Sequence, residues 1–257
     1  MLVAGDDRFI RHDKFEIHSY EIDLKRRLKI PALNRYMQES AWKHAEQLGF
    51  GYTNLIVKKL TWVLTRMIIR IEKLPLWGET IEVITWPSGR DDFFAYRDFQ
   101  FFGADDTEFG RATTSWCVIS LQDRRPQTME SVALSKYPKV KEMMFADRPG
   151  KLQSLVNSDS EWRTYVGYQD LDVNEHVNNA RYLDWITETY PLDFLKTHQL
   201  HRLDVNYLAE ALYGKEIVVF NQRISDSELL HSIRQAGNKS SSFLCATDHF
   251  LVDKNLF

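Results

Sequence analysis

Twice along the chain, a segment of helical period is followed by a run of segments of strand period, and this repetition constrains the fold more than any other feature. In the first round the helix is expected over 31–48. Leu33, Tyr36, Met37, Ala41, His44, Ala45 and Leu48 share one face, Pro31 stands in the first turn and Gly49 follows the end. A strand-like segment at 15–22 precedes it, and others at 60–71, 79–86, 93–102 and 111–121 follow, separated by breaks containing Gly, Pro or Asp. The second round has a strand at 161–168, a helix at 179–189, and strands at 203–208, 216–224, 228–235 and 242–252. A helix followed by consecutive strands is an α+β order and excludes alternating βαβ units.

Two local echoes support a duplication. Arg35-Tyr36-Met37 matches Arg181-Tyr182-Leu183, and Leu76-Trp77-Gly78-Glu79-Thr80-Ile81 matches Leu212-Tyr213-Gly214-Lys215-Glu216-Ile217. A helix of this length followed by antiparallel strands predicts a sheet wrapped around a mostly buried helix. The expected fold is therefore α+β: two tandem hot-dog domains whose sheets pair as a pseudo-dimer. The N-terminal domain is expected over 1–135, a polar, Lys- and Pro-containing connector over 136–160, and the C-terminal domain over 161–257.

Composition narrows the function classes. The chain is 44% hydrophobic with seven Trp, enough for a large core or an apolar channel, and its net charge of −3 points neither to nucleic acid nor to a membrane surface. No apolar stretch has the length to span a bilayer, and the N-terminus carries no signal or transit composition, so a soluble, cytoplasmic protein is expected. Cys117 and Cys245 lie in apolar strand-like runs and form no disulfide framework.

The densest polar constellation is Gln169-Asp170-Leu171-Asp172-Val173-Asn174-Glu175-His176-Val177-Asn178-Asn179. Asp172, Asn174 and His176 alternate, so an extended segment would aim all three to one side. A carboxylate, an amide and an imidazole supply a base, a donor for a developing oxyanion and a proton-shuttling ring. The competing reading is a loop with helix-capping Asn and Asp, in which Asn178 or Asn179 caps the following helix. A calcium loop fails at its sixth position, Glu175, and its twelfth, Arg181, and zinc would want more His or Cys than His176, so no metal is expected. The Gly-x-Ser-x-Gly elbow, the phosphate loop and a complete Gly-x-Gly-x-x-Gly are all absent.

The segment from Asp170 to Trp185 closely resembles the signature of acyl-ACP thioesterases, which release fatty acids from acyl carrier protein. The resemblance extends over nearly the whole chain, through Phe15–Ile22, Leu60–Met67, Pro75–Gly78, Thr114–Trp116 and Arg124-Arg125. It implies a double hot-dog fold, thioester hydrolysis on the phosphopantetheine arm, no cofactor and no metal. Its catalytic residues carry over to Asp172, Asn174 and His176, and a later Glu matches Glu210 in Tyr207-Leu-Ala-Glu-Ala-Leu-Tyr-Gly214. Many plant members have Cys directly after that Glu; here Ala211 stands there, so an active chain cannot depend on a thiol at this position. Water then becomes the expected attacking group, activated by Glu210 or Asp172, with anhydride formation by direct carboxylate attack left open.

Aligning the halves through their Arg-Tyr pairs places Arg26, Leu28 and Ile30 opposite Asp172, Asn174 and His176, and aligning the Gly turns places Leu74 opposite Glu210. Chemistry is therefore expected in the second half alone, with the first half binding the acyl chain and Met37, Trp62 and Met67 as candidate tunnel walls. The expected partner is acyl carrier protein, an acidic protein suited to Lys25–Lys29 or to Lys139 and Lys141. An acyl-CoA thioesterase, a hot-dog hydratase and a non-catalytic acyl-binding module are the competing functions, and a homodimer is a further candidate assembly.

Overall fold

The computed structural model describes residues 7–132, 137, 144, 145, 148–153, 155, 157–237 and 242–252. Its contacts divide the chain into two compact units, Met1–Pro149 and Gly150–Phe257. The division falls inside the stretch expected as a connector. Pro149 O accepts from the Arg66 guanidinium at 3.0 Å in the first unit. In the second, Asn206 accepts from Leu152 N at 2.9 Å and donates to Gly150 O at 3.0 Å. Lys139 and Lys141 lie outside the described residues.

The first unit runs β1 (Arg11–Glu16), α1 (Ile30–Gln47), α2 (Tyr52–Ile56), β2 (Leu60–Ile71), β3 (Thr80–Arg90), β4 (Phe94–Phe102), β5 (Glu108–Ser120) and the short β6 (Pro126–Gln127). Its main strands pair antiparallel in the order β1-β3-β4-β5-β2, with β6 on β5. Helix α1 starts where Pro31 can occupy a first-turn position without forfeiting a hydrogen bond, and it buries Leu33, Tyr36, Met37, Ala41 and His44. Full burial of Met37, or of Met67 on β2, contributes roughly 1.5–3 kcal/mol each. A bulge at Thr65, between Leu64 and Arg66, shifts the pleat so that Trp62 and Leu64 share a face with Met67.

Two basic groups buried in this unit, Arg97 and His44, are paired with each other. Arg97 donates to His44 Nδ1 at 3.0 Å, so the imidazole carries its hydrogen on Nε2 and donates it to Arg8 O at 3.0 Å. Burial, with the Arg97 guanidinium beside it, lowers the His44 pKa to about 4 and keeps the ring neutral.

The second unit repeats the plan: β7 (Ser160–Tyr165), α3 (Asn179–Thr187), α4 (Leu192–Thr197), β8 (His198–Tyr207), β9 (Glu216–Arg223), β10 (Glu228–Gln235) and β11 (Ser242–Val252). Its strands pair antiparallel in the order β7-β9-β10-β11-β8, the order of the first unit with each strand replaced by its counterpart. Each unit is an α+β hot-dog domain.

The repeat corrects the expected alignment of the halves. A 3-10 turn at Ser19–Glu21 corresponds to one at Tyr168–Asp170, and the bridge Ile22↔Leu28 to Leu171↔Val177. Likewise Arg26, at φ 63, corresponds to Glu175, also at φ 63, and the helix start Ile30 to Asn179. All four pairs share one constant separation along the chain, longer than the one implied by the Arg-Tyr echo. The partners of Asp172, Asn174 and His176 are therefore Asp23, Lys25 and Arg27, not Arg26, Leu28 and Ile30. The Gly turns do align as expected: Arg27↔Leu76 and His176↔Leu212 are matching bridges, which leaves Leu74 opposite Glu210.

Most elements coincide with their expected spans. The strand expected at 15–22 instead covers Arg11–Glu16, because the chain then turns through Ser19–Glu21. Helices α2 and α4, one or two turns each, were not expected; they are too short for a period to show.

Candidate active site

The polar constellation is a closed turn, not the extended segment expected from its spacing. Asp172 N donates to His176 O at 2.8 Å, Glu175 N donates to Asp172 O at 3.1 Å, and Glu175 takes the left-handed backbone that closes the loop. The Asp172 side chain holds the turn from inside: Oδ1 accepts from Asn174 N at 2.8 Å and from His176 N at 3.3 Å. The i, i+2, i+4 alternation therefore does not aim these side chains; the turn does.

Asp23 makes the same bonds in the first unit, accepting from Lys25 N at 2.8 Å and Arg27 N at 2.9 Å through Oδ1. The difference lies at the second oxygen. Asp23 Oδ2 is taken by the Arg27 guanidinium at 2.8–2.9 Å. In the second unit His176 replaces Arg27, and Asp172 Oδ2 accepts no bond among the described residues. The Asn174 amide also makes none there, so both groups are available to a ligand.

A second strand end completes the site. Val177 N donates to Ala211 O at 3.2 Å, and His176 bridges Leu212, which brings Glu210 alongside the turn. His176 Nδ1 lies 3.4 Å from Glu210 Oε1, with side chains 21% and 34% exposed. That separation is slightly longer than an optimal N–H···O bond, and the partial exposure leaves both groups reachable from outside. Ala211 is wholly buried and takes part through its backbone only, as the anchor of the Glu210-bearing segment.

Tyr182 was not expected here, although it belongs to the Arg-Tyr echo. It is buried on α3, and its hydroxyl accepts from Ala211 N at 3.0 Å, tying the helix to the strand end that carries Glu210. Burial raises its pKa to about 12, with the nearby Asp172 carboxylate acting in the same direction, so the phenol stays protonated. Asn178 caps α3 by accepting from Ala180 N at 2.9 Å, as one of the two candidate caps was expected to do. Arg181 pairs with Asp170 at 2.7 Å and Asp184 at 2.6 Å on the outer face of α3.

The structure thus brings together Asp172, Asn174, His176 and Glu210. The tunnel candidates sit in the first unit. Met37 and Met67 are buried in its core, and Trp62 donates its indole N–H to Phe50 O at 2.8 Å within a cluster containing Leu55, Val118 and Met129.

Comparison with known proteins agrees with this fold. The acyl-ACP thioesterase N-terminal domain matches residues 9–137, and the acyl-ACP thioesterase C-terminal domain matches residues 154–247. A palmitoyl-acyl carrier protein thioesterase of Gossypium hirsutum chloroplasts is 32% identical over 88% of this chain and 58% of its own length. An oleoyl-acyl carrier protein thioesterase of Coriandrum sativum is 28% identical over 80% of this chain and 60% of its own length. The chain therefore spans less than two thirds of these curated relatives.

Among solved structures, an acyl-ACP thioesterase from Bacteroides thetaiotaomicron superposes with a TM-score of 0.87 at 25% identity, covering 95% of this chain and 99% of that one. A 12:0-ACP thioesterase from Umbellularia californica gives 0.86 at 26% identity over 95% and 98%. The fold is a pair of tandem hot-dog domains. The chain belongs to the acyl-ACP thioesterase family.

Proposed function

We propose that this chain hydrolyses the thioester of fatty acyl-[acyl carrier protein], releasing the free fatty acid and ending chain elongation. The observation that carries this reading is the His176–Glu210 pair set against the open amide of Asn174, in a chain of this family. In the proposed reaction Glu210 draws a proton from water, whose oxygen attacks the thioester carbon. Asn174 and a backbone N–H at the start of α3 hold the resulting oxyanion, helped by the positive end of the helix. Collapse of the intermediate breaks the C–S bond, and the proton taken up by Glu210 passes by way of His176 to the departing thiolate.

Glu210 is preferred as the base because Asp172 already spends one oxygen on the turn. Asp172 shapes the loop, and its second oxygen orients the substrate or water. Catalysis belongs to the second unit alone in this reading, since the first unit carries Arg27, Lys25 and Leu74 at the corresponding positions. The first unit is proposed to receive the acyl chain, with Met37, Trp62 and Met67 along its path.

No helix among the described residues is long and apolar enough to cross a membrane. A cytoplasmic location and a homodimer belong to the same proposal, and cell fractionation and light scattering of the purified protein check them. The decisive test is the free-acid profile of cells expressing the chain, beside His176→Ala and Glu210→Ala. New free fatty acid is expected with the unaltered chain only. An acyl-CoA thioesterase, the second reading, would instead cleave acyl-CoA at least as fast as acyl carrier protein thioesters.

A further inference from the structure

The segment that carries the active turn is fastened to α3 by an ion pair where the first unit uses a neutral donor. Asp170, buried, ends the 3-10 turn that leads into Asp172. Its Oδ2 accepts from Gly167 N at 2.7 Å, and its Oδ1 accepts from Arg181 Nε at 2.7 Å. Its carbonyl oxygen accepts from Asn178 N at 2.8 Å, and Arg181 N donates to Asn178 O at 2.9 Å. Asp172 closes the turn from inside. Asp170 joins its entry to its exit, through the backbone at Asn178 and through the side chain at Arg181.

The first unit keeps the backbone bond, Lys29 N to Glu21 O at 2.9 Å, and makes the other tether differently. Glu21 Oε2 accepts from His18 N at 2.9 Å and from the Tyr36 hydroxyl at 2.6 Å, and Ala32 stands at the position of Arg181. In the second unit Trp185 takes the place of Tyr36, and Asp170 is one methylene shorter than Glu21. The tether therefore moves to the first turn of the helix and becomes charged.

Helix stability does not account for that choice. Arg181 is the third residue of α3, where the helix dipole disfavours a cation. It also precedes its second partner, Asp184, by three places, the less favourable order for such a pair. The guanidinium divides its fork between the two carboxylates, Nε to Asp170 and a terminal nitrogen to Asp184 at 2.6 Å, which fixes its plane.

We propose that Arg181 is a positioning residue for hydrolysis. Through Asp170 it holds the active turn at a fixed distance from the start of α3, where Asn174 and a helical N–H meet the thioester oxygen. The inference rests on the proposed function and adds a residue that sets the geometry of that site. Misplacing a reacting group by about 1 Å costs on the order of 10²-fold in rate, so the pair acts on the barrier more than on substrate affinity.

The test compares Arg181→Ala, Arg181→Lys, Asp170→Asn and the double variant Arg181→Ala/Asp170→Asn on one acyl carrier protein thioester, far below the melting temperature of each. In Arg181→Ala kcat is expected to fall about tenfold with KM altered less than about twofold. Arg181→Lys, which keeps a single charged bond, is expected to fall less. The double variant is expected to lose no more than the worse single one, because the two residues act as a unit. A purely structural pair would lower the melting temperature and leave kcat in place. An unchanged kcat, or losses that multiply, overturns the inference.

Amide hydrogen exchange reads the same tether without turnover. Arg181→Ala is expected to speed exchange at Asn178 N and to leave Lys29 N, its counterpart in the first unit, as it was. Equal protection of Asn178 N in both proteins overturns the inference. Loss of that protection in a chain that cleaves no thioester contradicts the proposed function and not the tether.

Discussion

One carboxylate closes the turn in each unit, and the two turns differ at its second oxygen. Asp23 and Asp172 both tie two backbone N–H groups, but Asp23 has its second oxygen neutralised by Arg27 whereas Asp172 keeps that oxygen available. Asp172→Asn retains the accepting oxygen and removes the charge, so it should fold like the unaltered protein while losing most hydrolysis. Asp172→Ala leaves two N–H groups without their acceptor and should in addition cost about 1–3 kcal/mol in denaturant melts. Equal stability of the two variants would show that the turn does not depend on this side chain. Tyr182→Phe removes the acceptor for Ala211 N, so kcat should fall as the Glu210 segment loosens, with stability reduced by about 1–3 kcal/mol. A kcat unaltered by this change would remove Tyr182 from the positioning of Glu210.

At the scale of elements, helix α3 depends on its cap and on a polar cluster near its C-terminal end. Asn178→Ala should lower stability by about 0.5–2 kcal/mol, read by thermal melting. Beyond the helix, the Tyr190 hydroxyl sits between Asp248 Oδ2, to which it donates, and His231 Nε2 at 3.0 Å. His231 Nδ1 faces Asn221 Oδ1 at 2.7 Å and so carries the hydrogen. Burial lowers the His231 pKa to about 3 and raises that of Asp248 to about 7.

The consequence for stability has a definite sign. Below the ordinary carboxylate pKa both folded and unfolded chains hold the Asp248 proton. As pH rises towards 7 the unfolded chain releases it first, so folding loses stability across that window. Asp248→Asn should therefore raise the melting temperature more at pH 8 than at pH 4, and a pH-independent difference would contradict the assignment.

The strand spans at 60–71, 228–235 and 242–252 could be read directly because apolar periodicity and turn residues agree there. The active turn could not. The same alternation of Asp172, Asn174 and His176 suits an extended strand, and the left-handed residue that decides the matter is Glu175, with no Gly or Asn to announce it. The Arg-Tyr echo misled for a related reason. Tyr36 stacks on Phe15 and donates to Glu21, while Tyr182 reaches Ala211, so the two tyrosines are alike in sequence and serve different contacts. An apolar residue and Asp followed by another apolar residue five places after the Asp, as in Ile22-Asp23…Leu28 and Leu171-Asp172…Val177, was the signal that aligns the halves.

For the whole molecule, duplication gives two units of one topology and unlike chemistry. The first has an arginine-locked turn and a core containing Met37 and Met67; the second has the open carboxylate and amide beside the His176–Glu210 pair. If the acyl chain is received in the first unit, Met67→Ala should shift the released acids towards longer chains while leaving turnover of short substrates unchanged. A change in melting temperature alone would return Met67 to the ordinary core.

The central claim is that one hydrolytic site, in the second unit, serves the whole chain. Its most direct measurement is release of free thiol from acyl carrier protein thioester by the purified protein, alongside His176→Ala, Glu210→Ala and Arg27→His. The account predicts hydrolysis by the unaltered protein, its loss in the first two variants and its retention in the third. Full activity without His176 and Glu210 would contradict it.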